Sequence, residues 1–346
     1  MGASRIRPVR PEDLDGFEGL ATRIRGGLTS LPPDRDLLEH KIEQSVRAFE
    51  KRVLKPGGEY YLFVLEDLES SEIMGTSGVL ARVGGFDPFY SYEIRRETFS
   101  HEPLGLDREV DVLHLKTNHK GPSEVCSLYL RPESRGSGRG RLLSLCRFLF
   151  MGMYPDRFDV EVLSEMRGYI DPEGRSPFWE SVGRHFFQKD FTTADFLSGL
   201  GNKAFIEDLM PEYPIYVNLL PPEVQDVIGR VHPDTEPALR MLRDEGFAFA
   251  REVDIFDAGP LVRTELNQVR TIRASRQVRV ESIDELKDRA ADHMIGWGGL
   301  DFRCCLGVVE TEADGSVRVL VERPSIMELP VGDPVMISPL RSGGSL

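Results

Sequence analysis

"LYLRPESRGSGRGRLLSLCRFLF", residues 128–150, decides how the chain is read. A strand-like apolar alternation ends at Arg131. Glycines, serines and three arginines fill Ser134–Arg141, and an apolar helical block follows. The order strand, glycine-rich turn, helix carries the meaning. The first backbone N–H groups of a helix have no intrahelical partner, and with the helix dipole they form an anion site. Gly136, Gly138 and Gly140 let the backbone come close to a phosphate. Arg131, Arg135, Arg139, Arg141 and Arg147 add positive charge within the same short stretch. The pattern predicts a diphosphate cradle.

Two familiar phosphate loops do not fit. The nucleotide-binding loop needs lysine after its second glycine, and Gly140 is followed by Arg141. The dinucleotide fingerprint needs a third glycine where Arg141 stands. What remains, Arg135–Gly140, reads Arg-x-x-Gly-x-Gly.

The surrounding chain has 346 residues, 40% hydrophobic and 29% charged, which is ample for a sizeable core. Its net charge of −14 argues against a nucleic-acid binder, because phosphate backbones need an extended positive surface. The four cysteines show no CxxC or histidine-paired spacing, so no zinc site is expected. They read as reduced thiols of a cytoplasmic protein. The start "MGASRIRPVRPEDL" has no apolar signal core, and Leu142–Tyr154 is too short for a bilayer and carries Arg147. No membrane association is expected.

Periodicity places a strand at "IRPVR" and helices at "PEDLDGFEGLATRI" and "DRDLLEHKIEQSVRAFEKRV", the second capped by Asp34. Strands follow at "EYYLFVLED" and "EIMGTSGVLARV". Residues 86–120 read as a further strand pair or insertion. "EVCSLYL" is a buried strand, "FDVEVLSEMRG" another, and "SPFWESVGRHFF" a short helix leading into an aromatic strand. Residues 190–230 carry short helices and proline breaks. "HPDTEPALRMLRDEGFAFAREVDIFD" is helix then strand, and 259–340 are mostly β. The echo between "SPFWESVGRHFF" and "EPALRMLRDEGFAF" has two readings, a duplication or the common look of helix-to-strand joints.

The Arg-x-x-Gly-x-Gly turn between a strand and a long helix resembles the acyl-CoA loop of the GNAT acyltransferase superfamily. Longer segments resemble a narrower family: "GGLTSLP" (26–32), "PSEVCSLYL" (122–130), "EMRGYIDPEGRSPFW" (165–179), "FTTADFLSG" (191–199), "KAFIEDLMPEYPIY" (203–216), "VQDVIGRVHP" (224–233) and "VDIFDAGP" (253–260). Together they are similar to arginine N-succinyltransferase. The likeness weakens in 86–120 and beyond about 275. It implies an α+β fold, a GNAT-like mixed sheet flanked by helices, with a C-terminal mostly-β region. The expected organisation is 1–190 as the acyl-CoA-binding domain, 191–258 as a second α/β region carrying His232, and 259–346 as the β region. The middle part is open to being a degenerate repeat of the first.

The implied reaction moves a succinyl group from succinyl-CoA to the α-amine of L-arginine, with no permanently bound cofactor. Two alternatives stay open: another amine such as ornithine, and a noncatalytic acyl-CoA-binding subunit. A homo-oligomer or a paralogous partner subunit is compatible with the resemblance. In the superfamily a bulged strand turns a backbone N–H toward the thioester oxygen, which implies Leu128 as the succinyl-CoA contact. Leu130, Arg135, Gly136, Ser137, Gly138, Arg139 and Gly140 complete the acyl-CoA set. The family's acid–base histidine lies in the matching "VHP", which implies His232. The closing helix carries Phe178 and Trp179 where many superfamily members use tyrosine, so the proton donor stays open apart from His232. Asp234 or Thr235 is expected to cap the helix that follows. Thr29, Ser30, Glu165 and Arg167 are the candidate acceptor-site residues. No metal ligands are expected.

Overall fold

A computed structural model of the chain describes residues 3–24, 30–85, 87–199, 204–211, 213–312 and 316–341. The strands are β1 (Ser4–Pro8), β2 (Tyr60–Asp67), β3 (Ile73–Leu80), β4 (Phe89–His101), β5 (Leu106–Asn118), β6 (Ser123–Leu130), β7 (Glu161–Glu165), β8 (Ile215–Tyr216), β9 (Ala248–Val253), β10 (Pro260–Glu265), β11 (Arg276–Glu285), β12 (His293–Trp297), β13 (Arg303–Thr311), β14 (Val317–Val321) and β15 (Pro334–Pro339). The helices are α1 (Leu14–Ala21), α2 (Arg35–Glu50), α3 (Arg139–Met153), α4 (Pro177–Ser181), α5 (Gly183–Phe187), α6 (Phe191–Gly199), α7 (Ala204–Leu209), α8 (Pro222–Gln225), α9 (Glu236–Asp244), α10 (Arg270–Ala274) and α11 (Pro324–Met327). The architecture is mixed α+β, with a central sheet flanked by helices and a β-rich C-terminal region.

The strands form one network in the order β12-β15-β11-β14-β13-β1-β2-β3-β6-β7-β10-β9-β4-β5-β8. An added β12–β13 pairing closes the first five into a small barrel. Its interior is apolar, filled by Val278, Val280, Ile295, Trp297, Val319 and Ile337 among others. The rest is an open sheet, antiparallel except where β6 meets β7. The segment 86–120 is a long β4–β5 hairpin, with Phe89 opposite Asn118 and His101 opposite Leu106.

Helix α3 is the hub. Its apolar run, read from sequence as a helix, is buried over Leu142–Met151 because it packs on the sheet on one side and the barrel on the other. Phe150 meets Phe49, Phe63 and Phe302, the last from the loop entering β13. The Asp34 cap is present, its carboxylate accepting from Leu37 N–H at 3.0 Å. One expectation fails. The aromatic tail of "SPFWESVGRHFF" is helical, not a strand: Gly183–Phe187 form α5, and Trp179 stacks on Phe256 in a second core. Burial of that aromatic cluster outweighs the strand propensity of the Phe pair.

A buried ionic weld joins barrel and sheet through β1. Glu66 accepts from Arg5 at 2.8 Å and from Arg7 at 2.6 Å, and Arg7 also reaches Asp13. Arg5 continues to the Met327 carbonyl at 3.1 Å and to Glu328, both at the barrel's edge. Deleting one member of such a set strands buried charge. Glu66→Ala is therefore expected to destabilise the fold by about 3–5 kcal/mol in urea unfolding. A loss below about 1 kcal/mol, the size of an exposed pair, would show that the weld contributes nothing special.

Candidate functional site

The parallel pairing of β6 and β7 covers Ser123–Val162 and Glu124–Leu163 only. Beyond that β6 runs on to Leu130 and β7 to Glu165 without pairing to each other. The strands part, and a cavity of about 710 Å³ opens between them. On its other edge β6 carries an irregularity. Thr76 faces Tyr129 and Gly78 faces Cys126, so Ser127 and Leu128 together oppose Ser77. Ser127 takes a left-handed φ of 53° and is held by a 2.5 Å hydrogen bond between its hydroxyl and that of Tyr60. This is a β-bulge. It leaves Leu128 paired with no residue of β3 or β7, on the wall of the cavity.

The glycine turn leads from this strand into α3. Gly136, Ser137 and Gly138 have successive φ values of 105°, 51° and 80°, and Gly138 is the N-cap with no side chain closing the helix. Such a run favours glycine and presents backbone N–H groups outward. The arginines divide. Arg135 is exposed, lines the cavity and pairs with no side chain among the described residues. Arg131 is buried against Glu72, and Arg141 reaches the Leu340 carbonyl at 3.3 Å and Asp244 at 3.7 Å. These two are structural, so the charge of the turn is smaller than the sequence suggests.

The far wall is acidic. Glu165, Asp195, Asp254 and Asp257 line it, with Arg167 among them, while Glu124 lines the cavity from β6 itself. Asp257 accepts from Gly168 N–H and Gly259 N–H, each at 2.7 Å. Burial, and then the neighbouring Asp254, push its carboxyl well above the usual range. Asp254 in turn accepts from Phe256 N–H and Asp257 N–H. The turn needs glycine at 259, since a Cβ there would lie 2.0 Å from the Met166 carbonyl oxygen. Burial lowers the Arg167 pKa, while Asp257, Asp195 and Asp234 oppose that shift.

His232 stands at the rim. Its backbone N–H donates to the Arg167 carbonyl at 2.8 Å, beside a bridge between Gly168 and Val231. The ring, not Asp234 or Thr235, does the capping: Nδ1 accepts from Asp234 N–H at 3.2 Å, and Thr235 makes no side-chain cap. Burial, then the Arg167 charge, lowers the His232 pKa below the ordinary value, against an opposing pull from Asp234. The imidazole is biased toward its neutral form.

Of the residues singled out from sequence, Leu128, Leu130, Arg135, Ser30, Glu165 and Arg167 share the cavity. His232 does not line it but bonds to two residues that do, Arg167 and Asp234. Gly136, Ser137, Gly138 and Arg139 continue the turn from Arg135 without lining the cavity, and Arg139 reaches the Ser4 hydroxyl at 3.4 Å. Gly140 instead faces a shallow depression shared with Arg141 and α9. Thr29 lies outside the described residues. Sequence reading missed Asp195, Asp254, Asp257 and the role of Ser127. The aspartates look like ordinary cap and turn residues, and only folding brings them together. Among the described residues no group of three or more His, Cys, Asp or Glu could hold a metal, and no helix is long and apolar enough to cross a membrane.

Comparison with known proteins gives the family. The family described as "Arginine N-succinyltransferase beta subunit" matches residues 4–271, ending before the barrel strand β11. Arginine N-succinyltransferases of Escherichia coli O17:K52:H18 and O127:H6 are each 44% identical over 275 residues, 80% of this chain and 80% of theirs. The structure of arginine/ornithine succinyltransferase subunit AI from Pseudomonas aeruginosa superposes with a TM-score of 0.89 at 34% identity, covering 99% of this chain and all of that one, so the barrel is shared. The chain belongs to the arginine N-succinyltransferase family.

Proposed function

We propose that the protein transfers the succinyl group of succinyl-CoA to the α-amine of L-arginine, giving N2-succinyl-L-arginine and CoA. One observation carries the reading: a bulged strand and a parting neighbour make a cleft with a phosphate-type turn at one end and a carboxylate cluster at the other. This is also the support for a GNAT-like core. Residues 1–190 supply the acyl-CoA side, and 191–258 supply His232 and most of the acidic wall. The mostly-β part from 259 buttresses α3.

The diphosphate lies at the α3 N-terminus, on the N–H groups of Gly136, Ser137, Gly138 and Gly140, with Arg135 as counter-charge, while the Arg139 N–H closes the turn on the Gly136 carbonyl at 3.1 Å. The pantetheine runs between β6 and β7 past Leu130, and the thioester oxygen accepts from Leu128 N–H. An oxyanion donor of this kind contributes about 3–4 kcal/mol to the barrier. At the acceptor end, Asp195, Asp254 and Glu165 receive the guanidinium, with Asp257 bracing the turn that carries Asp254, while Arg167 and Ser30 face the α-carboxylate. Cys126 also lines the cavity, but burial pushes its thiol up to about 12, which disfavours an acyl-cysteine intermediate and supports direct transfer.

His232 moves the proton. With Nδ1 accepting from Asp234 N–H, the neutral ring carries its proton on Nε2. To act as base, the ring exchanges that N–H for the Asp234 carboxylate, 3.8 Å from Nδ1, and so frees Nε2. The amine then attacks the thioester carbon, its proton passes to Nε2, the C–S bond breaks, and the same proton goes to the CoA sulfur. The family's subunit names fit a second, paralogous chain as partner.

Two experiments test this reading. Gly138→Val places a β-branched residue at φ 80°, with its Cβ 3.1 Å from Leu306, and is expected to weaken succinyl-CoA binding by about tenfold or more in calorimetry. Unchanged affinity in the folded variant would remove the cradle. In thiol-release assays, arginine is expected to exceed ornithine in kcat/KM by about tenfold or more if a planar carboxylate fork reads the guanidinium. N2-acetylarginine is expected to be inert, and His232→Ala to lower kcat about 10²–10⁴-fold. Equal use of arginine and ornithine would favour the broader specificity named for the Pseudomonas protein. Turnover of N2-acetylarginine would overturn the α-amine assignment.

A further inference from the structure

Arg147 sits in the middle of α3, within an otherwise apolar run, and is 2% exposed. Its Nε donates to the Ser144 carbonyl at 2.9 Å, Nη2 to the Ser144 hydroxyl at 3.1 Å, and Nη1 to the Cys126 carbonyl at 3.2 Å. None of these acceptors is charged, and among the described residues no carboxylate forms an ion pair with it. Other buried arginines differ. Arg5, Arg7 and Arg131 all face carboxylates. Arg157 has no acid either and, like Arg147, has three neutral oxygen partners, but it does not line the cavity. Arg147 does line it.

A buried cation without a counter-charge is costly, and burial accordingly pushes the Arg147 pKa down to about 10. Its Nη nitrogens carry more hydrogens than their two acceptors use, in the forked geometry that matches a carboxylate. Its place along β6 is equally telling. Nη1 is anchored on Cys126, two residues before Leu128 and on the side away from Arg135. With the CoA phosphates at the Arg135 end and the thioester at Leu128, the acyl chain points from Leu128 toward Cys126. Ser127 between them is left-handed and bulged, so the two positions lie closer than the roughly 6–7 Å of two extended residues, within reach of a four-carbon acyl chain that ends in a hydrogen bond.

We propose that Arg147 binds the distal carboxylate of the succinyl group and so selects a dicarboxylic acyl donor over neutral acyl-CoAs. The inference rests on succinyl-CoA as donor. Glu72 and Asp244 neutralise Arg131 and Arg141, whereas Arg147 waits for an anion that arrives with the substrate. The neutral contacts to Ser144 and Cys126 aim the guanidinium without satisfying its charge. Arg147 is thus a specificity-determining residue, and it takes no part in the proton transfers.

The test compares kcat/KM for succinyl-CoA and butyryl-CoA, which has the same chain length and no charge, with arginine as acceptor. Wild type is expected to favour succinyl-CoA strongly. Arg147→Gln keeps amide donors for Cys126 and Ser144, and Arg147→Met keeps bulk. In whichever variant folds, the succinyl-to-butyryl ratio should fall about 10- to 100-fold, the size of a lost charge-assisted hydrogen bond. A ratio within about twofold of wild type in a folded variant overturns the proposal, because a purely structural arginine, or one that holds the amino acid's own carboxylate, would lower both activities together. A wild-type enzyme with no preference for succinyl-CoA would instead overturn the donor assignment itself.

Discussion

The parting of β6 and β7 is the constraint on which the rest depends. Two parallel strands that pair over only two residues leave backbone polar groups along both inner edges, and those groups need partners. Ser164 meets part of the need by donating its hydroxyl to the Val125 carbonyl at 3.0 Å. The bulge at Ser127 displaces Leu128 from the ladder with β3, which resumes at Tyr129. The remaining edge faces the cavity, where a ligand can supply the partners. The fold tolerates this opening because both flanks are heavily supported. β6 is zipped to β3, β7 is zipped to β10, and α3 closes the floor with its buried face.

Charge is distributed to suit a substrate that is anionic at one end and a co-substrate that is cationic at the other. The chain as a whole carries −14, yet the cleft is not uniformly acidic. Arg135 and Arg147 lie on the α3 side, and the aspartates lie on the side built from α6 and the β9–β10 turn. The acidic surface gives a general attraction to cationic amino acids, and in the proposed reaction the local arginines offset it for the acyl-CoA. His232 stands near the acidic wall, but its nearest charged neighbours are opposed, Arg167 against Asp234, with burial added to the first. That balance keeps the ring neutral, the state in which it can receive a proton in the proposed reaction.

Much of this was legible in residues 128–150, because a strand, a glycine turn and a capless helix are local features. The Asp34 cap and the β4–β5 hairpin were legible for the same reason. What escaped was non-local. The closure of the barrel depends on pairing β11 with β14 and β12 with β15, and no periodicity within a strand names its partner. The aspartates of the acidic wall meet only because the 254–259 turn packs on the end of β7. Phe186 and Phe187 read as strand but are helix, since Phe187 packs on Trp179 and Phe256 while Phe186 stays exposed. Arg147 was visible as a charge within an apolar helix, and its meaning required knowing that no acid accompanies it.

The central claim is that the thioester lies in the gap between β6 and β7, at the bulge. A crystal structure of the protein with succinyl-CoA and a non-nucleophilic arginine analogue measures this directly. The account predicts the pantetheine between the two strands, the thioester oxygen within hydrogen-bond distance of Leu128 N–H, and the diphosphate at the α3 N-terminus. A CoA bound elsewhere, on the barrel or along the β4–β5 hairpin, with the β6–β7 gap filled by water or side chains, would contradict it.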